Sequence, residues 1–178
     1  NFVCCNIVDQ AHALSNLCRY GGHVAKFYSV AEHAVRVSRL VEKWATERRY
    51  RPAETRELAK WGLIHDNAEG CGLVDIPRPI KIQIPAYQAI EKQLLARLAA
   101  WFDLPPVEPA IVGEADKYIL GTEARQLKAP VHADWHKTFP GGMLAPELPG
   151  VTLGWSPERA KEVYLRRFER LFGIGWGL

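Results

Sequence analysis

The chain has 178 residues, of which 48% are hydrophobic and 24% charged, which is enough length and apolar content for one globular domain with its own core. The formal net charge is only +3, and the basic residues are scattered rather than gathered with aromatic residues, so nucleic acid is not an expected partner. Because there is no apolar run near the roughly 18 residues of a membrane span, no signal-peptide pattern and no CxxC spacing, we expect a cytoplasmic protein with reduced thiols and no membrane contact.

Two helices are predicted in the first 50 residues. A short helix is expected over residues 12–20. Ser29 with Glu32 three residues later is the signature of a capping box, in which each side chain binds the backbone N–H of the other residue. Apolar residues then recur at steps of three and four, which predicts a helix over residues 30–46.

The next helix is expected to carry an ionisable pair. Pro52 suits a first helical turn, and the stripe that follows includes His65 and is interrupted at Gly70. We therefore predict that His65 and Asp66 lie within this helix. The prolines between residues 73 and 84 argue against regular helix there.

Three helices and a loop are predicted for the second half of the chain. Amphipathic helices are expected over residues 87–101 and 108–128. A last helix is expected over residues 156–172, where Ser, Pro and Glu in succession provide a cap, a first-turn proline and an acid that suits the helix dipole. A long loop is expected over residues 129–155. Since no alternating run of β-branched residues indicates a sheet, we predict one all-α domain of about six helices, with its core in about residues 11–128.

His33 lies on the apolar stripe of the helix predicted over residues 30–46. This position directs the imidazole towards the interior. Taken alone, the histidine is better explained as a hydrogen-bonded core residue than as a metal ligand, because buried histidines are common. The sequence around residue 65 changes that balance.

Three ionisable side chains occur together in the sequence HDNAE at residues 65–69. His65, Asp66 and Glu69 are expected on one surface, because residues three and four apart on a helix are neighbours. Burial of two adjacent carboxylates is unfavourable unless a cation offsets it, and a divalent ion would do so directly. The alternative is a charged helix end that faces solvent.

Asp116 supplies a further carboxylate on an apolar helix face, although a surface salt bridge with Lys117 or Arg125 would also explain it. Two imidazoles and two carboxylates on three different helices form a mixed donor set that suits Zn, Mn, Fe, Co or Ni. The expected cofactor is a divalent ion: Zn, Mn, Co or Mg. Such a site lowers the pKa of a bound water to about 7 in favourable cases, which produces a nucleophile for phosphate esters.

The order His33, then His65-Asp66, then Asp116 resembles the H…HD…D signature of the HD-domain superfamily of metal-dependent phosphohydrolases. Within that superfamily, residues 11–127 resemble the bacterial 5'-deoxynucleotidase branch and its phage relatives, which include dATP triphosphohydrolases. Five spaced motifs carry this resemblance: Arg19-Tyr20, FYSVAEH at 27–33, HDNAE at 65–69, DIPRPIK at 75–81 and EAD at 114–116.

The resemblance implies a role for nine positions in these motifs or beside them. Four side chains hold the metal: His33, His65, Asp66 and Asp116. Glu69 orients or deprotonates the attacking water, and Arg19 and Lys81 approach the phosphate. Asp75 lies near the nucleotide sugar, and Tyr20 stands where the family often has a tryptophan that packs against the sugar and base.

The resemblance predicts an enzyme that hydrolyses the 5' phosphoester of a deoxynucleotide, with Asp66 and Glu69 as its catalytic residues, and that releases a deoxynucleoside with phosphate or triphosphate. It also implies a homo-oligomer, a dimer or a hexamer, with the helix over residues 87–102 and the long loop as candidate contact surfaces. The alternative from another class is a non-catalytic nucleotide sensor or assembly subunit. Cyclic dinucleotide phosphodiesterases fit less well because their Gly-Tyr-Pro motif is absent, and di-iron oxygenases because the additional histidines are lacking.

Overall fold

The computed structural model describes residues 6–128 and 145–175. Within these ranges the chain forms seven α-helices and no strand, which confirms the predicted all-α fold. The helices are α1 (Ile7–Asn16), α2 (Val30–Glu47), α3 (Pro52–Ile64), α4 (Arg78–Lys81), α5 (Pro85–Trp101), α6 (Ala110–Leu127) and α7 (Pro157–Phe172). None of these described helices is both long and apolar enough to cross a membrane.

Helix α2 begins at Val30 as predicted, but only half of the expected capping box forms. The Ser29 hydroxyl accepts a hydrogen bond from the Glu32 N–H at 3.1 Å. The Glu32 carboxylate instead accepts from the N–H groups of Gly154 and Trp155, at 3.1 and 2.7 Å. This fully buried carboxylate therefore holds the segment before α7 against α2.

Helix α3 ends before the His65-Asp66 pair, so the prediction that one helix carries the pair is wrong. After Ile64 the chain continues in tighter turns with i→i+3 hydrogen bonds, such as that from the Asn67 N–H to the Ile64 C=O at 2.9 Å. This winding brings Gly70 against α1, where a Cβ would lie 2.8 Å from Leu14 Cγ. An apolar stripe in the sequence does not distinguish an α-helix from these tighter turns, because residues three apart share a face in both conformations.

Two further predictions about helices are wrong in detail. Helix α1 ends at Asn16 rather than near residue 20, because the next residues are extended and Leu17 C=O accepts from the N–H of Val30 at 3.0 Å. In the proline-rich stretch, where no helix was expected, α4 forms a single turn. Its Pro79 is the second residue of that turn, where a backbone N–H donor is not required.

Helices α5, α6 and α7 lie within two residues of their predicted bounds. The Ser156 hydroxyl accepts from the Arg159 N–H at 3.3 Å and so caps α7 as expected. Of the loop predicted over residues 129–155, residues 145–155 form no helix, and the preceding part lies outside the described residues.

Helix α2 lies at the centre of the fold and contacts α1, α3, α6 and α7. Its inward face is buried along its length. Helix α3 approaches it so closely that a Cβ on Gly62 would lie 2.9 Å from Ser38 Cα. The fold thus fixes the relative positions of the helices that carry the predicted site.

Candidate metal centre

The structure brings together the four side chains that the resemblance assigns to a metal. His33 lies in the first turn of α2, His65 and Asp66 directly follow α3, and Asp116 lies in α6. His33 Nε2 is 3.1 Å from Asp116 Oδ1 and 3.6 Å from Asp66 Oδ2, and His65 Nε2 is 3.4 Å from the same Asp66 oxygen. Single donor atoms of His33, His65 and Asp116 lie within 4.8 Å of one another, a spacing that one ion can span.

The outer nitrogen of each imidazole is engaged, which leaves the inner nitrogen directed at the centre. His65 Nδ1 lies 3.0 Å from the Gly62 C=O, which can only accept, so Nδ1 carries the proton. His33 Nδ1 lies 2.7 Å from a carboxylate oxygen of Glu123. Both Nε2 atoms are buried and neither makes a well-aligned hydrogen bond within the described residues, although His33 Nε2 lies 3.1 Å from Asp116 Oδ1. The imidazoles are therefore oriented as metal ligands are.

The ionisable groups at the centre shift one another's pKa values. Burial would raise the pKa of Asp116, but the two histidines and Arg19 hold it well below its usual range. The pKa of Asp66 is likewise lowered by the histidines and Arg19, against the effect of burial. Burial and Arg19 would lower the pKa of His33, yet neighbouring carboxylates raise it to about 9, so this imidazole holds a proton unless a metal ion displaces it.

Glu69 lies in the turn that follows the pair and is 3% exposed. Its Oε1 is 3.7 Å from Lys81 Nζ, and its Oε2 has no hydrogen-bond partner in the part of the chain that the structure describes. Burial, together with Asp66 and Asp75, raises the pKa of Glu69 to about 8, against the effect of nearby cations. A carboxyl group of this kind is suited to accept a proton from water.

The two cations assigned to the phosphate are both paired with acids at the site. Arg19 Nη1 donates to Asp66 Oδ2 at 3.2 Å. Lys81 Nζ donates to Glu91 Oε1 at 2.7 Å and lies near Glu69. Each cation is thus held beside the centre by an acidic partner.

Similarity to a known protein extends over nearly the whole chain. No protein-family model matches the sequence. The chain is 35% identical over 165 residues to a protein of Escherichia coli (strain K12) named "Uncharacterized protein YfdR", and the match covers 93% of this chain and 83% of that protein. The chain belongs to the YfdR family. The relationship therefore covers the domain as a whole and is not confined to one motif.

In this YfdR-family chain, the residues assigned to the sugar are tied into the protein's own hydrogen bonds. The Tyr20 N–H donates to Asp75 Oδ2 at 2.8 Å, and the Tyr20 hydroxyl donates to Glu123 Oε2. The Lys128 ammonium lies 4.2 Å from the centroid of the Tyr20 ring. The Tyr20 hydroxyl is thus directed inwards, and one face of the ring lies against a cation. Asp75 holds the backbone of the turn that contains Tyr20.

A cavity of about 470 Å³ opens beside the centre of this YfdR-family protein, between α5 and the segment before α6. Its polar lining includes side chains of the centre and of α5: His65, Asp66, Asp116, Gln88, Glu91 and Lys92. A pocket of this size that joins a candidate metal centre to polar groups suits a small-molecule substrate.

Sequence reasoning missed acidic residues that the fold brings to the site. The position of Glu123 could have been predicted from its spacing. It follows Asp116 by seven residues in α6 and so lies on the same helix face two turns later. Glu91 and Glu108 line the cavity but carry no comparable signal. They reach the site only through the packing of α5 and of the segment before α6.

Proposed function

We propose that this protein is a metal-dependent phosphohydrolase of the HD-domain superfamily, which cleaves the 5' phosphoester of deoxynucleotides and releases a deoxynucleoside with phosphate or triphosphate. One observation carries the proposal. The buried Nε2 atoms of His33 and His65 face two carboxylates at 3.1–3.6 Å. This mixed nitrogen and oxygen donor set fits a divalent ion such as Zn, Mn, Co or Mg.

The metal, when bound by His33, His65, Asp66 and Asp116, supplies Lewis acidity towards the phosphoryl group and lowers the pKa of the attacking water. Glu69 takes the proton of that water through its unengaged Oε2. Burial is the largest cause of the raised pKa of Glu69 and the charge of Asp66 adds to it, so ligation of Asp66 would lower the pKa of Glu69. Arg19 and Lys81 balance the negative charge that develops on the phosphoryl oxygens.

Deoxyribose is the proposed sugar because Tyr20 keeps an aromatic face where the sugar is expected and turns its hydroxyl towards Glu123. The Tyr20 hydroxyl donates to Glu123, and Asp75 accepts from a backbone N–H. A 2'-hydroxyl placed against the face of the Tyr20 ring would lose its water and gain no hydrogen bond from the ring. The proposed selectivity therefore follows from the cost of burying a poorly satisfied hydroxyl.

We also propose a cytoplasmic location and self-association as a dimer or hexamer. Helix α5 supports self-association because it buries Leu94 and Leu98 while Ile90 and Trp101 remain 42% and 54% exposed. Burial of Ile90 and Trp101 against a second copy of the chain is the proposed contact. Light scattering on the purified protein tests the proposal, and a monomer at all accessible concentrations would contradict it.

The hydrolytic proposal is tested with ribo- and deoxynucleoside mono-, di- and triphosphates in the presence of Mn, Co, Zn or Mg, with the products identified. We expect His65→Ala to lose both bound metal and hydrolysis. Glu69→Gln should keep the metal but lower kcat by about 10²–10⁴-fold, since only the proton acceptor is lost. His12→Ala, which changes an exposed histidine away from the centre, should leave both properties unchanged.

Three outcomes would contradict the proposal. A wild-type protein that binds no divalent ion would exclude the metal centre, and an unchanged His65→Ala variant would exclude the assigned ligands. Tight nucleotide binding without turnover would instead indicate the non-catalytic sensor.

A further inference from the structure

Helix α6 contacts both nitrogens of one imidazole. Asp116 Oδ1 lies 3.1 Å from His33 Nε2, and Glu123 Oε1 lies 2.7 Å from His33 Nδ1. Because seven residues separate the two acids, they project from the same face of the helix two turns apart. The imidazole is thus held between a candidate ligand and a second, fully buried carboxylate.

Glu123 also reaches the turn that carries the predicted phosphate-binding arginine. Its Oε2 accepts from the Tyr20 hydroxyl and lies 3.8 Å from Arg19 Nε. Its Oε1 additionally accepts from the Tyr28 hydroxyl at 3.0 Å. One carboxylate therefore connects a metal-ligand candidate on α2 with the Arg19–Gly22 turn.

The chemistry of these contacts requires a carboxylate rather than any polar side chain. An ionised carboxylate only accepts hydrogen bonds, so it keeps a proton on His33 Nδ1 and makes Nε2 the nitrogen that an ion can take. An amide at position 123 would present one oxygen and one N–H₂ group, and the N–H₂ group is a poor match for the hydroxyl and guanidinium donors at Oε2. A buried carboxylate is also unfavourable unless it is fully paired, so packing alone does not explain its presence.

We propose that Glu123 is a positioning residue that orients His33 for the metal and, through Tyr20 and Arg19, sets the position of the phosphate-binding turn. This inference rests on the metal centre of the proposed function. It adds that metal affinity and substrate affinity depend on one carboxylate that touches neither the ion nor the substrate.

The test compares wild type with Glu123→Gln and Glu123→Asp in the full chain. The dissociation constants of Mn²⁺ and Co²⁺ alone are measured by titration, and the absorption of the Co²⁺ complex reports the ligand geometry. We expect Glu123→Gln to weaken ion binding about 10–100-fold, as is typical for partners of metal-bound histidines. At saturating metal, we expect the KM for dAMP or dATP, whichever wild type hydrolyses, to rise several-fold.

Two variants separate positioning from general stability. Glu32→Gln makes the same substitution at another fully buried carboxylate, next to His33 in sequence, whose partners are Arg36 and the backbone of residues 154–155. It should lower stability but leave ion binding within threefold of wild type. If Glu123→Gln does not fold, Glu123→Asp keeps the charge but withdraws it from His33, and should weaken ion binding in the same direction.

The outcomes also separate this inference from the proposed function. If wild type binds an ion while the foldable Glu123 variants bind it equally well, or keep the wild-type KM at saturating metal, this inference fails and the metal centre stands. If wild type binds no ion, both fail.

Discussion

Gly62→Ala tests the closest contact between the helices that position the two histidines. The new Cβ would lie 2.9 Å from Ser38 Cα, whereas carbon atoms in contact are normally about 3.5–4.0 Å apart. Since the clash is with backbone, α2 and α3 must separate. Overpacking costs about 1–3 kcal/mol, and the better helix propensity of alanine returns at most about 1 kcal/mol. Because backbone cannot move aside cheaply, the cost lies in the upper part of that range, about 2–3 kcal/mol, and the net loss is about 1–2 kcal/mol. This corresponds to a fall in Tm of about 2–8 °C for a domain of this size.

Gly113→Ala in α6 is the matched control. Its nearest contact would be Glu108 Oε1 at 3.6 Å, an ordinary distance, so the propensity gain should appear without a clash and Tm should rise. Thermal and urea unfolding of both variants and wild type, followed by circular dichroism, measure the difference. Because the Gly62 C=O accepts from His65 Nδ1, Gly62→Ala should also weaken Mn²⁺ binding. A Gly62→Ala protein as stable as Gly113→Ala would refute this reasoning.

Three further predictions concern the metal, the last helix and the C-terminal segment. Mn²⁺ at about 100 times its dissociation constant should raise the free energy of unfolding by about 2.7 kcal/mol, and EDTA should reverse the rise; a melting curve insensitive to both would argue against the centre. Ser156→Ala removes the cap of α7 and should cost about 1 kcal/mol in urea unfolding, whereas Ser156→Asp should retain most of it. Glu32→Gln weakens the ion pair with Arg36 and the bonds from Gly154 and Trp155, so we expect a loss of about 1–3 kcal/mol by the same method, and wild-type stability would contradict the assigned role.

The parts of the fold that depend on local chemistry were predictable from the sequence. Ser29 and Ser156 marked the starts of α2 and α7 because capping is decided within a few residues. The inward position of His33 followed from helical periodicity alone, and the structure buries it completely. Periodicity could not predict that the four proposed ligands lie close together. That expectation came from the resemblance of the spaced motifs to a known family.

The parts that depend on packing between distant segments were not predictable in the same way. The sequence did not predict that α3 ends before His65, because an α-helix and the tighter turns that follow it would present the same apolar face. The inward direction of the Tyr20 hydroxyl follows from a carboxylate that lies 103 residues later in the chain. The Glu32 carboxylate accepts hydrogen bonds from the N–H groups of Gly154 and Trp155 instead of forming the predicted capping box. Sequence patterns near Glu32 could not predict that these distant residues lie beside it.

The attachment of residues 154–155 to Glu32 joins segments that lie far apart in the chain. Glu32 immediately precedes His33, so the backbone next to this imidazole is secured by a segment more than 120 residues later. A change in residues 154–155 that breaks these hydrogen bonds should therefore lower the stability of the fold around α2, as is expected of Glu32→Gln. The imidazole itself is held by contacts from α6, so ion binding should stay close to wild type.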